Sequence, residues 1–292
     1  MLTGVDHLMM CVRDLQQGID AYTRMGFNVH PGGVHPGRGT HNAIAFFERD
    51  YLEVMGLRDR AEYLAAAGPA GGLLEFLERG GGLRYIAVQS DDLDADVAAM
   101  RRRGVDVTDA SEGGRRTPSG AELRWKAAKL GPAHELPIFF IEHLTPLRER
   151  RTQAPGAGEH PNGVIALERV YIAVSDVAAA AGTYSRVLGV ATPKIQRGSV
   201  IKADMAVFDV GPGGLTIAQP AEPGPASEAL ARRGPGPFQA LYRTRSLERA
   251  AHVMAERGLP PPAGGVRNTG EQVMLVEPAH ACGLYVGFVG PA

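Results

Sequence analysis

Two acidic residues stand inside short apolar segments of this 292-residue sequence, where a charge without a partner is costly. Glu53 lies in YLEVM and Glu142 lies in PIFFIEHL, and both segments are typical of β-strands. His7 in DHLMM and His41 in THNAIAFF occupy similar segments. Imidazole and carboxylate groups together can bind a divalent metal ion or transfer protons. Which chemistry follows depends on whether the fold brings these side chains together.

The alternation of side chains along each strand predicts which residues share a face. In the first strand we assign Leu8, Met10 and Val12 to a covering helix, which leaves His7 on the opposite face. The same parity, applied to the later strands, assigns six further residues to that face: His41, Tyr51, Glu53, Tyr85, Phe140 and Glu142. Arg124 and Trp125 either line the same pocket or pack elsewhere. We therefore expect Glu53 to be tolerated there because it meets a metal ion or a cationic group.

A fourfold pattern along the chain predicts the elements that carry these residues. Each copy has a short apolar strand, a capping acid or serine, an amphipathic helical period and a glycine, and the copies begin at Asp6, Arg84, Arg169 and Gln239. The four predicted N-caps are Asp14, Asp92, Asp176 and Ser246, and the four terminating glycines are Gly26, Gly104, Gly189 and Gly258. Shorter strand-like runs follow each glycine. Each unit is therefore predicted to be β-α-β-β-β.

The predicted fold class is α+β, with four βαβββ modules paired into two domains. The segment from Arg148 to Glu159 is rich in Arg, Pro, Gly and Ala, and we interpret it as a linker. The domains are predicted at residues 1–148 and 160–292. In each domain, curled mixed sheets face inward and the helices lie outside. Pairing two modules creates a concavity, which is a natural ligand site.

The composition argues against some classes of binding partner. A net charge of −1 and a neutral pI give no electrostatic reason to bind nucleic acid or an anionic membrane. The two cysteines, Cys11 and Cys282, are far apart and exclude a disulfide scaffold. No signal-peptide core or apolar span of membrane length is visible. We expect a cytoplasmic protein with a small-molecule substrate, and leave open whether it forms a homodimer.

The sequence resembles the vicinal oxygen chelate superfamily, and within it the glyoxalase-like domain proteins related to glyoxalase, bleomycin-resistance proteins and extradiol dioxygenases. The modular architecture extends over nearly the whole chain, and the finer likeness extends over residues 4–175. Its motifs are DHLMMCVRDL, the loop HPGRGTHN, YLEVMGL, RRTPSGAELRW, PIFFIEHLTP and HPNGV. The GTHN and RTPSGAELRW segments are the more specific ones, and the strand–helix signature alone is weaker.

The resemblance implies one divalent ion, held by residues of the first and last strands of a module pair. The matching positions are His7 and Glu53 in the first module, and Tyr85 and Glu142 in the second. The resemblance thus suggests His7, Glu53 and Glu142 as metal ligands, with Glu53 and Glu142 also catalytic. Tyr85 departs from the pattern, since ring-cleaving relatives have histidine there. The ion could be Zn, Mn, Fe or Ni.

Two functional hypotheses follow from the resemblance. The first is a divalent-metal-dependent lyase, isomerase or dioxygenase that acts on a small oxygenated substrate, with His41, Tyr51, Tyr85, Arg124, Trp125 and Phe140 around that substrate. The second is a metal-free protein that binds or sequesters a small molecule, as the bleomycin-resistance relatives do. In the last two modules, Arg169 and Gln239 occupy the position of His7. We therefore expect the C-terminal pair to be a degenerate structural or lid half.

Overall fold

The computed structural model describes residues 1–67, 72–117, 120–151 and 156–291. The first half of the chain forms one eight-stranded mixed sheet in the order β2-β3-β4-β1-β5-β8-β7-β6. Its strands are β1 (Leu2–Val12), β2 (His30–His35), β3 (Thr40–Phe46), β4 (Tyr51–Leu57), β5 (Gly82–Ser90), β6 (Ser111–Arg116), β7 (Glu122–Lys129) and β8 (Ile138–His143).

The second half repeats this order strand for strand as β10-β11-β12-β9-β13-β16-β15-β14. Its strands are β9 (Val164–Ala173), β10 (Gln196–Gly198), β11 (Ala203–Asp209), β12 (Gly214–Pro220), β13 (Gly236–Thr244), β14 (Ala263–Val266), β15 (Gln272–Val276) and β16 (Tyr285–Val289). In each sheet the two long central strands pair antiparallel, and each also pairs in parallel with the last strand of its own module. The predicted α+β fold of curled mixed sheets is confirmed.

Four helices follow the central strands, as the sequence predicts. They are α1 (Leu15–Arg24), α4 (Leu93–Arg102), α6 (Val177–Leu188) and α8 (Leu247–Glu256). The side chains of the four predicted N-cap residues accept hydrogen bonds from backbone N–H groups of the first turn. The four predicted glycines have positive φ angles between 71° and 90°, which a non-glycine residue adopts only at a cost. Local sequence therefore determines where these helices begin and end.

One hydrophobic core joins the convex faces of both sheets through these four helices. Phe27, after α1, lies with its ring centroid 5.2 Å from that of Tyr242 on β13 and 5.9 Å from that of Phe288 on β16. Arg103 at the end of α4 donates hydrogen bonds to carbonyls at the end of α6. Because the core uses the convex faces, both concave faces are left to be covered or used.

Further helices, which the sequence analysis does not predict, lie between the modules. They are α2 (Arg60–Ala67), α3 (Leu73–Glu78), α5 (Leu147–Arg151) and α7 (Pro225–Arg233). Helix α5 occupies the start of the predicted linker, whose residues 152–155 lie outside the described residues. The division into domains at 1–148 and 160–292 stays a prediction. Among the helices of the described ranges, none has the length and apolar character needed to cross a membrane.

Candidate active site in the first concave face

A cavity of about 1230 Å³ opens on the concave face of the first sheet. His7, Tyr51, Glu53, Tyr85 and Trp125 line it. At one end, α2 and α3 pack on β1 and β4 and close part of the face with apolar side chains. The rim also includes residues at the end of α7 and the start of β13, so the second half of the chain contributes to the mouth of the cavity.

His7 and Glu53 lie side by side on the floor of the cavity. Strands β1 and β4 are parallel neighbours, with Met9 opposite Glu53 and His7 opposite Tyr51. The Nε2 atom of His7 lies 3.7 Å from Oε2 of Glu53. The His7 ring stacks on Tyr51 at 4.4 Å between centroids and meets the edge of Phe139 at 5.5 Å. Both His7 and Glu53 are buried, so a ligand in the cavity would meet them with little competing water.

Asp6 holds the imidazole of His7 from behind. Its carboxylate lies 3.3 Å from Nδ1 of His7 and 2.8 Å from Nε2 of His143. A register shift between Val5 and His7, where β1 pairs with β5, accompanies this arrangement of adjacent residues. Burial alone raises the pKa of Asp6, but hydrogen bonds from His143 and His7 outweigh it and hold that pKa far below its usual range. Asp6 is therefore a charged acceptor that fixes two imidazoles.

Glu53 is held by its own set of neighbours. Asn42 on β3 donates from Nδ2 to Oε1 of Glu53 at 2.6 Å. The Nε2 atom of His35 lies 3.9 Å from the same carboxylate oxygen. Burial lowers the pKa of His35, although the charge of Glu53 opposes this change. The burial of Glu53 is therefore tolerated because the amide of Asn42 and the imidazoles of His7 and His35 surround its carboxylate.

Several predicted orientations are wrong. His41 lies beside Arg13 and Asp14 on the side of β3 that faces α1, and Asn42 takes the cavity side. Phe140 is fully buried in the convex core. Glu142 accepts a hydrogen bond from the backbone N–H of Leu93 at the start of α4, so it also faces away from the cavity. Arg124 forms an exposed ion pair with Glu112, whereas Trp125 lines the cavity.

These errors have one physical cause. In β3 and β8 apolar residues occupy both faces and most of them are buried, so hydrophobic alternation does not identify the cavity face. Because side chains alternate with a period of two, an error of one residue turns every side chain to the other face. The residues of β8 that face the cavity are Phe139, Ile141 and His143. His143 therefore takes the inward place predicted for Glu142, because the tertiary structure decides the register.

Other residues that complete the site are not among those predicted from the sequence. Asp6 and Asn42 stand next to candidates that were singled out, in the DH pair and the GTHN loop, and those motifs were the available signal. Arg115 on β6 and Arg150 in α5 line the cavity too. Arg115 is the first residue of the RRTPSGAELRW motif, whereas Arg150 lies in the segment interpreted as a linker, where no local pattern marks it as a cavity residue.

The side chains do not form a complete metal site of the predicted kind. A protein-bound zinc ion usually has three or four protein ligands. His7 and Glu53 supply two, but the matching register positions of the second module are Tyr85 and Phe139, and Glu142 faces away. Across the described ranges, no group of three or more His, Cys, Asp or Glu side chains is arranged to hold a metal ion. Vicinal oxygen chelate relatives usually use divalent metals, so this chain departs from their ligand pattern.

Comparisons with known proteins agree with this architecture. A family model described as "Glyoxalase-like domain" matches residues 5–188. No curated protein matches the chain. A hypothetical protein from Staphylococcus aureus is similar at a TM-score of 0.69 and 13% identity, with 100% of both chains covered. A mutant 4-hydroxymandelate synthase from Streptomyces coelicolor is similar at a TM-score of 0.66 and 14% identity, with 100% of this chain and 94% of that chain covered. At these identities the likeness to solved structures shows the fold alone.

Proposed function

Because the chain belongs to the glyoxalase-like domain family, we propose that it is an enzyme that moves protons on a small oxygenated substrate, as an isomerase or a lyase. The cavity of the first sheet is its active site, and His7 with Glu53 is the acid–base pair. The observation that carries the proposal is the buried series Asp6–His7–Glu53, in which both neighbours of the imidazole are carboxylates. A merely structural histidine needs no second carboxylate at the cavity surface.

Asp6 prepares His7 for this role. A charged carboxylate at Nδ1 favours the tautomer with the proton on that atom, which leaves the lone pair of Nε2 directed at Glu53 and the cavity. Nε2 then takes a proton from a carbon next to a substrate carbonyl, and the electron pair of the broken C–H bond forms an enolate. The imidazolium, stabilised by Asp6, returns the proton to carbon or oxygen. The product is an isomer of the substrate, so atoms and charge balance.

Glu53 acts as the partner of His7 in this scheme. Asn42 donates to Oε1, which leaves Oε2 as the oxygen nearer to the imidazole. That oxygen can accept a hydrogen bond from the imidazolium and exchange the proton with it. The aromatic side chains of Tyr51 and Tyr85 form apolar walls for the body of the substrate. The incomplete ligand set supports proton transfer by these side chains without a resident metal ion.

Proton exchange in D₂O tests this proposal without knowledge of the natural substrate. A panel of small ketones, aldehydes and oxo acids is incubated with chelator-treated protein, and loss of the α-proton signal is followed by NMR. We expect exchange on at least one compound, and its loss in His7→Gln and Glu53→Gln. His252→Gln is the matched control, since His252 is an exposed histidine of α8.

The outcomes separate the hypotheses. Exchange that persists in both variants would remove His7 and Glu53 from the mechanism. Exchange that appears only when Zn, Mn, Fe or Ni is added would restore the metal-dependent hypothesis. Tight binding of a panel compound with no exchange would favour sequestration, a candidate supported by the size of the cavity, about 1230 Å³.

A further inference from the structure

The lining of the cavity carries a net positive charge, whereas the whole chain is nearly neutral. Among the described residues that line it, seven are arginine or lysine and two, Glu53 and Glu135, are acidic, although the net charge of the chain is −1. Basic side chains are therefore concentrated around one concave surface. A concave, partly enclosed surface with one sign of charge attracts ligands of the opposite sign.

Among the arginine and lysine side chains in the described lining of the cavity, Arg150 is the one that is buried. It lies in α5, is 7% exposed and lines the cavity. Its guanidinium carbon stands 5.7 Å from the ring centroid of Tyr51, the same ring on which His7 stacks. Arg150 and His7 of the proposed acid–base pair therefore both contact the ring of Tyr51.

The hydrogen bonds of Arg150 are incomplete. Its Nε atom is buried and has no hydrogen-bond partner among the residues that the structure describes. The nearest carboxylate is Asp6, whose Oδ1 lies 4.0 Å from Nη2 of Arg150, beyond hydrogen-bond distance. Asp6 already binds His7 and His143. Within the described part of the chain, the guanidinium of Arg150 therefore has no hydrogen-bonded carboxylate partner, and an anionic ligand at the part of Arg150 that lines the cavity would supply the missing counter-charge.

A second arginine approaches the same place from β6. Arg115 lines the cavity and donates to the carbonyl of Gly32. Burial lowers the pKa of Arg115, while the charge of Glu53 opposes that change and the charge of Arg150 adds to it, which places these three groups in one electrostatic neighbourhood. Arginine forms two parallel hydrogen bonds to a carboxylate, so this pair suits a planar oxyanion.

We infer that the cavity binds a small organic carboxylate with an apolar or aromatic body, and that Arg150 binds its charged end. This inference rests on the proposed function for its place in the reaction, since it names the substrate class of the same site. The carboxylate anchors one end of the substrate at Arg150, and the body lies along Tyr51 toward His7. Arg150 is then a binding residue that discriminates anions from neutral molecules of the same shape.

Binding of matched pairs tests this inference independently of turnover. The probes are benzoate, phenylacetate and 2-naphthoate, each with its neutral amide, and binding is measured by calorimetry at low ionic strength. We expect at least one carboxylate to bind about tenfold or more tightly than its amide, because charge-assisted hydrogen bonds are the stronger class. Arg150→Gln should remove this preference. Arg148→Gln is the matched control, since Arg148 belongs to the same helix and its side chain is 86% exposed.

The inference is overturned if no carboxylate binds more tightly than its amide, or if Arg148→Gln loses as much affinity as Arg150→Gln. If Arg150→Gln does not fold, the wild-type pairs and Arg115→Gln decide the question, with a reduced carboxylate preference expected in the latter. Carboxylate binding without α-proton exchange would leave the charge inference standing and remove the enzyme. Exchange on neutral compounds without a preference for carboxylates would support the enzyme and overturn the charge inference.

Discussion

The two concave faces of this molecule have the same strand order and opposite contents. The first encloses a polar floor with His7 and Glu53. The second is filled by α7, whose Ala226 and Ala229 pack among apolar residues of the second sheet. At the register positions of His7 and Glu53, the second sheet has Arg169, which pairs with Asp209, and a buried Thr216.

This difference lies in the segments between modules rather than in the modules themselves. In the first half, the corresponding insertion forms α2 and α3, which cover one end of the face around Cys11 and Met55. In the second half, α7 contacts β9, β12 and β13, and so lies across the centre of the sheet. A curled sheet thus provides a concavity, and a short inserted helix determines whether that concavity remains available for a ligand.

The largest effect that we expect from this comparison concerns activity. His7→Gln and Glu53→Gln should each lower the α-proton exchange rate by about 10²–10⁴-fold, which is the usual contribution of a positioned acid or base. Arg169→Ala and Gln239→Ala in the second sheet should leave the rate per folded molecule close to that of the wild type. Equal losses in the two sheets would show that the second face takes part in the reaction.

The next expected effect is on stability. Leu241→Ala removes a side chain that is 1% exposed beneath α7, and should cost about 2–5 kcal/mol in free energy of unfolding. Met9→Ala, on the cavity side of the first sheet, should cost about 1–2 kcal/mol because its side chain is only half-buried. Urea denaturation of both variants measures the difference. A cost for Met9→Ala as large as that for Leu241→Ala would mean that the first face is packed like the second.

Asp6→Asn tests whether Asp6 selects the tautomer of His7 on the first concave face. The rate of exchange should fall at least about tenfold, because an amide no longer selects the His7 tautomer with the proton on Nδ1. ¹⁵N NMR of the imidazole should show this tautomer in the wild type and a mixture in the variant. A lower rate with an unchanged ¹⁵N pattern would make Asp6 a structural residue only.

The pH dependence of stability gives Asp6 a second signature. Its folded pKa is held far below its usual range, mainly through His143 and His7 after burial is offset, so the unfolded state binds the proton more readily. The stability from Asp6 is therefore present above a pH of about 4 and is lost as the pH falls below that. The free-energy difference between wild type and Asp6→Asn should shrink from pH 7 to pH 3.

The last expected effect concerns the contact between the halves of the chain. His160 accepts a hydrogen bond from the N–H of Asn28 at Nδ1 and contacts the carbonyl of Phe46 through Nε2, and burial lowers its pKa to about 4. The unfolded histidine takes up its proton at higher pH, so stability falls as the pH drops from about 6.5 toward 4. His160→Gln should lower stability at pH 7 and remove about 2 kcal/mol of this decline by pH 4.5. His252→Gln should keep the wild-type slope in urea titrations.

The sequence by itself determined the modules and half of the candidate site. Capping acids, helical periods and glycines are local signals, and they mark all four helices that follow the central strands. The sequence also predicts which side chains of β1 and β4 face the cavity, because His7, Tyr51 and Glu53 alternate with apolar residues that face a helix. Short-range periodicity sufficed for these elements.

Only the tertiary structure decided the rest. In β3 and β8 apolar residues occupy both faces, so the pairing register alone turns Asn42 and His143 inward and His41 and Glu142 outward. Arg150 reaches the cavity because the chain returns to it after β8. The filling of the second face by α7 is likewise a long-range contact. Local patterns encode which face of an element is apolar, whereas cavities arise from what packs opposite that face.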